Sequence, residues 1–359
     1  MHWIRNSLEI NHSTHKSILS MEGIRGFAVF LVFLVHFCSL VNPWLVKDSM
    51  VYQFARYGHN IGNAGVDLFF VLSGYLIYGT LIEKQKRFLD YIARRIQRIY
   101  PTFTTVLILY LALSIFFPEE SKLPKELNSR LIYIIQNFIL LPGLFNINPI
   151  ITVAWSLSYE FFYYLCLPII IFVFSLRSWT KKSRVAFFVC LTILSFTISY
   201  YYGGPIRLVM FVAGILLYDT QIKNTSRQIN YIGLISLLLS MVLMVLLQEL
   251  NYSDWYRFAI IFILFYLFCF ECFYSLSFSS RLFSISPLRW LGNMSYSYYL
   301  IHGLSLKFTF LILGKVYPSS GGDNFIFWLL LPLSFLITLI PSMILFITIE
   351  KPFSLQTKR

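Results

Sequence analysis

The chain has 359 residues, of which 57% are hydrophobic, 19% aromatic and only 13% charged. A water-soluble domain of that length needs more charged surface and cannot hide so much apolar area in one core, so aqueous folding is excluded. The net charge of +13 does not point to nucleic acid, because the basic residues lie between apolar runs, where they set membrane orientation.

The first 19 residues are polar and read as a cytoplasmic tail, not a signal peptide, since no small-residue cleavage site follows the first apolar run. Apolar runs long enough to cross a hydrocarbon layer of ~30 Å then recur. They predict an all-α, polytopic integral membrane bundle of about ten transmembrane helices: 20–41, 64–83, 99–117, 153–175, 185–202, 206–218, 230–248, 257–276, 291–312 and 325–349. The transmembrane domain is expected over 20–353, with a cytoplasmic tail at 354–359. The run at 206–218 is short, and 131–145, bounded by Pro142 and Pro149, reads as an interfacial or re-entrant helix. With the N-terminus inside, nineteen of the 29 basic residues fall on the cytoplasmic side, eight on the other, and Arg25 and Lys307 within spans. That bias predicts cytoplasmic N- and C-termini. The five cysteines all lie in apolar runs and read as packing. The Cys269/Cys272 spacing lacks a second pair or a nearby histidine, so no metal site is expected.

Ionisable groups inside spans are costly, so each is a functional candidate. Arg25 and His36 stand eleven residues apart in the first span. That spacing is close to three full turns, which puts them on one stripe about 16–17 Å apart along the axis. Glu22, one turn before Arg25, is placed to pair with it. Snorkelling of Arg25 to headgroups and a plain interhelical bond for His36 are the structural competitors. Asp67 opens the second span, where it can bond an imidazole or cap the helix. The run YIARRIQRIYP carries Arg94, Arg95 and Arg98; it is either an orientation signal or a phosphate-binding strip. Glu160, among aromatics in AWSLSYEFFYYL, needs a partner or else serves as an interfacial anchor. Glu271 and Lys307 are expected to pair. His302 is a second intramembrane imidazole, His59 falls in the segment before the second span, and His2, His12 and His15 lie in the polar tail. No P-loop, dinucleotide fingerprint or nucleophile elbow is present.

The blocks EGIRGFAVFLVFLVH, GVDLFFVLSGYLI, RRIQRIYP, WSLSYEFFYYL, LGNMSYSYYLIH and IEKPF, in order from residue 18 to 353, resemble the acyltransferase-3 family of integral membrane O-acyltransferases. The resemblance implies transfer of an acyl group, most often acetyl, from cytoplasmic acyl-CoA to a hydroxyl of a surface or lipid-linked carbohydrate such as an O-antigen. It also implies a bacterial inner membrane location, with lipid and acyl-CoA as partners and no bound cofactor. The family's arginine–histidine motif matches Arg25 and His36, its arginine triplet matches Arg94, Arg95 and Arg98, and its acidic position matches Glu160. The chain departs in Glu22, where Asp is usual, and Tyr159, where a small aliphatic is common. A hydrolase-like domain carried by some relatives is not in the sequence, so the chain is expected to complete the transfer itself or to hand over to a partner.

These readings fit one mechanism. Polyanionic coenzyme A docks at Arg25 and the triplet, and its pantetheine arm threads along the stripe. His36 acts as general base or acyl relay, with its tautomer held by Asp67 or Glu160. A transporter or flippase is the rival class, although the two halves show no repeat that aligns; a succinyl donor or a non-glycan acceptor is the rival within the enzyme class.

Overall fold

The computed structural model describes residues 8–9, 18–85, 87–221, 231–274, 276–319 and 322–355. Arg5, Lys16, Lys86, Lys223, Arg227, Lys358, Arg359, His2, His12 and His15 lie outside the described residues, as does most of both tails. The helices in order are α1 (Leu19–Val41), α2 (Met50–Gly62), α3 (Ala64–Glu83), α4 (Phe88–Phe116), α5 (Leu127–Phe138), α6 (Trp155–Val173) and α7 (Lys181–Tyr202). They continue as α8 (Val209–Asp219), α9 (Ile232–Glu249), α10 (Asp254–Tyr274), α11 (Phe278–Leu282), α12 (Ser286–Asn293), α13 (Ser295–Val316) and α14 (Phe325–Leu345). A π-helical turn, Phe346–Leu355, prolongs α14. No β-strand occurs among the described residues, as a membrane interior requires of an open chain that must satisfy its own backbone.

Nine helical stretches among the described residues are long and apolar enough to cross a membrane. The expected tenth, at 206–218, comes out as α8, only 11 residues long. At 1.5 Å per residue that is about 16–17 Å, little more than half a hydrocarbon layer. By length and composition alone nine stretches therefore qualify, in keeping with the expectation of about ten. The path of the chain nevertheless makes a tenth traverse. Arg207, just before α8, lies 3.8 Å from Asp67 at the start of α3, and Tyr218 bonds Glu83 at the end of α3. Arg184 at the start of α7 pairs at 2.6 Å with Asp219 at the end of α8, so those two run antiparallel. α8 survives at this length because protein sheathes it: every residue but Tyr218 is buried. Its backbone touches that of α3 where Gly74 meets the Phe211 carbonyl and Gly214 meets that of Val71, positions with no room for a Cβ.

One expectation is corrected, and the bounds of another move. Residues 50–62, read as a connection holding His59, form the amphipathic helix α2, capped by the Ser49 hydroxyl. Within 131–145 only α5 is helical; the chain then turns back through Leu140 and Gly143, both at positive φ. α5 exposes Leu127, Leu131, Ile132, Ile135 and Phe138 along one side. Residue 20 and residue 353 both lie at the end of the bundle that carries Gln97 and Cys272, here called the arginine end.

Candidate active site

A cavity of about 170 Å³ opens near the arginine end, between α1, α3, α4, α6 and α13. Three guanidiniums line it, those of Arg25, Arg95 and Arg98, with the single carboxylate of Glu160. Local sequence places each of them. Gly23 and Gly26 let α1 press onto α11 and α12, where a Cβ would overlap the Phe283 and Leu288 carbonyls. Arg25 stands between them and turns to α13, donating from Nη2 to Ser295 Oγ at 2.9 Å.

The arginine triplet divides by helix face. Arg98 pairs through Nη1 with Glu350 Oε1 at 2.7 Å and covers the Tyr296 ring. Glu350 is fully buried in the π-helical turn, and its Oε2 accepts from Ser297 N (2.9 Å) and Ser297 Oγ (2.6 Å). That carboxylate also caps the first turn of α13. Arg95 lies over the Tyr91 and Tyr164 rings at 5.1 and 5.0 Å. Arg94 is exposed and outside the cavity lining. Glu160 Oε1 accepts from the Tyr164 hydroxyl and, at 3.4 Å, from Ser73 Oγ.

The stripe expected of Arg25 and His36 is present, and both face α13. His36 lies beside His302, ring centroids 5.1 Å apart and tilted by 59°. His302 is fully buried, and its Nδ1 meets the carbonyls of Tyr299 at 2.8 Å and Tyr298 at 3.0 Å. Carbonyls only accept, so Nδ1 carries the hydrogen and Nε2 is bare. Nε2 has no partner among the described residues. Tyr299 links the two groups of residues: its ring lines the cavity and lies 6.2 Å from that of His302, one turn on. Its hydroxyl meets Ser156 Oγ at 2.7 Å and donates to the Val153 carbonyl at 3.1 Å.

Neither carboxylate contacts an imidazole among the described residues. Asp67 is fully buried, and no donor reaches either of its oxygens among the described residues; its neighbour is Arg207. It therefore does not hold an imidazole tautomer in this conformation. Glu160 engages Tyr164 and Ser73 instead. Glu22 pairs with Arg289 at 2.8 Å. Glu271 and Lys307 do not pair: Glu271 accepts from Gly233 N at 2.6 Å, and Lys307 reaches Glu120 at 2.6 Å. Sequence reasoning missed Glu350 as the partner of Arg98; an acid at the end of a long apolar run was the available signal.

These features define a polytopic membrane protein with an arginine-lined cavity suited to an anionic ligand, one of whose lining residues, Tyr299, lies beside His302. A family model described as an acyltransferase domain matches residues 18–347, and the chain belongs to this acyltransferase-3 family. An uncharacterized protein of Haemophilus influenzae is 36% identical over 118 residues, 30% of this chain and 48% of its own. The peptidoglycan O-acetyltransferase OatA of Listeria monocytogenes is 25% identical over 325 residues, 80% of this chain and 49% of that protein. The O-acetyltransferase OatA of Staphylococcus aureus is 27% identical over 163 residues, 42% of this chain and 24% of that protein. The chain thus spans about half the length, or less, of these curated relatives. No solved structure matches it.

Proposed function

We propose that this chain is a membrane O-acetyltransferase that takes an acetyl group from acetyl-CoA and delivers it to a hydroxyl of a surface or lipid-linked carbohydrate. The observation that carries the reading is the convergence of Arg25, Arg95 and Arg98 on one cavity whose lining residue Tyr299 lies beside His302, itself next to His36. Guanidiniums suit the phosphates of coenzyme A, and a thioester presented beyond them meets imidazole. His36 serves as general base or transient acyl carrier. Proton transfer by a placed imidazole is typically worth about 10²–10⁴-fold. Glu160, through Tyr164, fixes the wall on which Arg95 rests, and Arg94 meets phosphate from outside the cavity. Asp67, which faces Arg207 and lies outside the cavity lining, takes a positioning role in α3. The arginine end faces the cytoplasm of a bacterial inner membrane, in keeping with the bias of basic residues. The name of the Listeria monocytogenes relative favours peptidoglycan as acceptor, and a lipid-linked O-antigen is the alternative within the same class.

The test uses purified protein in nanodiscs with acetyl-CoA and glycan extracted from the cell envelope. Glycan-dependent release of free thiol is expected. A transporter or flippase releases none, and that result would overturn the reading.

A further inference from the structure

His302 carries a feature that packing does not explain. A histidine kept for its bulk bonds both nitrogens or leaves one to water. Here Nδ1–H is held by two carbonyls of its own helix, the ring is fully buried, and the bare Nε2 has no partner. With Nδ1 turned back on α13, Nε2 points outward from that helix. The neighbouring ring is that of His36, half-buried and without a hydrogen bond among the described residues. The tautomer thus leaves Nε2 as a proton acceptor.

We propose that His302 is the second imidazole of a proton relay, accepting on Nε2 the ring proton that His36 releases during acyl transfer. This rests on the acyltransferase reading above. As the acceptor oxygen attacks the thioester carbonyl, its hydroxyl proton passes to the bare nitrogen of His36. The N–H proton on the other side of the His36 ring passes to His302 Nε2, directly once His36 turns toward it or through one water. The C–O bond forms, the C–S bond breaks and coenzyme A leaves as thiolate. The proton returns from His302 through His36 and ends on sulfur. No oxidant or further reactant is needed. His302 touches His36 and not the substrate, so it is a positioning and relay residue.

The experiment measures thiol release by wild type, His302→Gln, His302→Ala, His36→Ala and the double alanine variant in nanodiscs, with acetyl-CoA and extracted envelope glycan. Gln keeps the volume and hydrogen bonding of the ring but accepts no proton at this pH. Both His302 variants are expected to lose about 10²-fold in kcat, with KM for acetyl-CoA within about twofold of wild type. The double variant should be about as slow as His36→Ala alone, as for residues acting as one unit. Added imidazole should restore activity to His302→Ala, whereas pyrazole, similar in shape but a far weaker base, should not. His302→Gln retaining more than about a third of wild-type kcat, or equal rescue by imidazole and pyrazole, overturns the relay while the acyltransferase reading stands. Wild type releasing no thiol overturns that reading and the relay with it. If neither His302 variant accumulates, the dependence of wild-type kcat on deuterium content decides: curvature from two protons in flight supports the relay, and a straight line overturns it.

Discussion

Arg95 and Arg98 are one helical turn apart and share a cavity, yet their surroundings give them different work. Arg98 is tied to a buried carboxylate, so Arg98→Gln leaves Glu350 uncompensated in the interior. Breaking a buried pair in this way costs about 3–5 kcal/mol. Arg98→Gln is therefore expected to reduce the amount of folded protein in the membrane. Arg95 rests on two tyrosine rings, contacts that the guanidinium can keep while it takes phosphate. Arg95→Gln should leave abundance unchanged and raise KM for acetyl-CoA about tenfold or more, the scale of one charge-assisted hydrogen bond. Immunoblots of membrane fractions beside initial-rate kinetics check both outcomes; the reverse assignment would refute this division of roles. The stripe of Arg25 and His36 was legible in sequence because helix geometry alone relates them. The bond from Arg98 to Glu350 spans 252 positions, and nothing local encodes it. The approach of His302 to His36 was hidden for the same reason.

At the scale of elements, close backbone contact positions the site. α1 reaches α12 at Gly26, so adding one methyl there forces the two helices apart. Overpacking of this kind typically costs about 1–3 kcal/mol, and here it also moves Arg25 off Ser295. Gly26→Ala should lower the melting temperature of the detergent-solubilised protein and weaken donor binding together. Gly303→Ala is the control, because nothing lies within 4 Å of a Cβ at that position. An unchanged melting temperature for Gly26→Ala would show that the contact is looser than described. The long helices were legible as apolar runs. α2 was not, because its polar face, with Gln53, Arg56 and His59, dilutes the apolar signal. α8 was ambiguous for a different reason: a run of 13 residues fits either a buried core helix or a short crossing.

For the molecule as a whole, the pairing of helix ends fixes what lies with what. Lys307 meets Glu120, and Lys122 holds the Pro149 carbonyl at 3.0 Å and Thr152 Oγ1 at 3.0 Å, all at the end opposite the arginines. With the arginine end cytoplasmic, a cysteine replacing Lys122 in a cysteine-free background should react with an impermeant thiol reagent on intact cells. One replacing Lys181 should react only after permeabilisation. Labelling of both from the same side would refute the arrangement. The brevity of α8 has a further consequence. A lipid-facing helix of about 16–17 Å would pinch the bilayer around it through hydrophobic mismatch. Enclosed by its neighbours, α8 asks no adaptation of the lipid. It draws the Asp67/Arg207 pair and the Arg184/Asp219 pair toward each other through the interior instead, so the insulating layer between two polar landings is thinnest beside the cavity. Under the proposed function, a thioester arm entering there would have only a short passage to make.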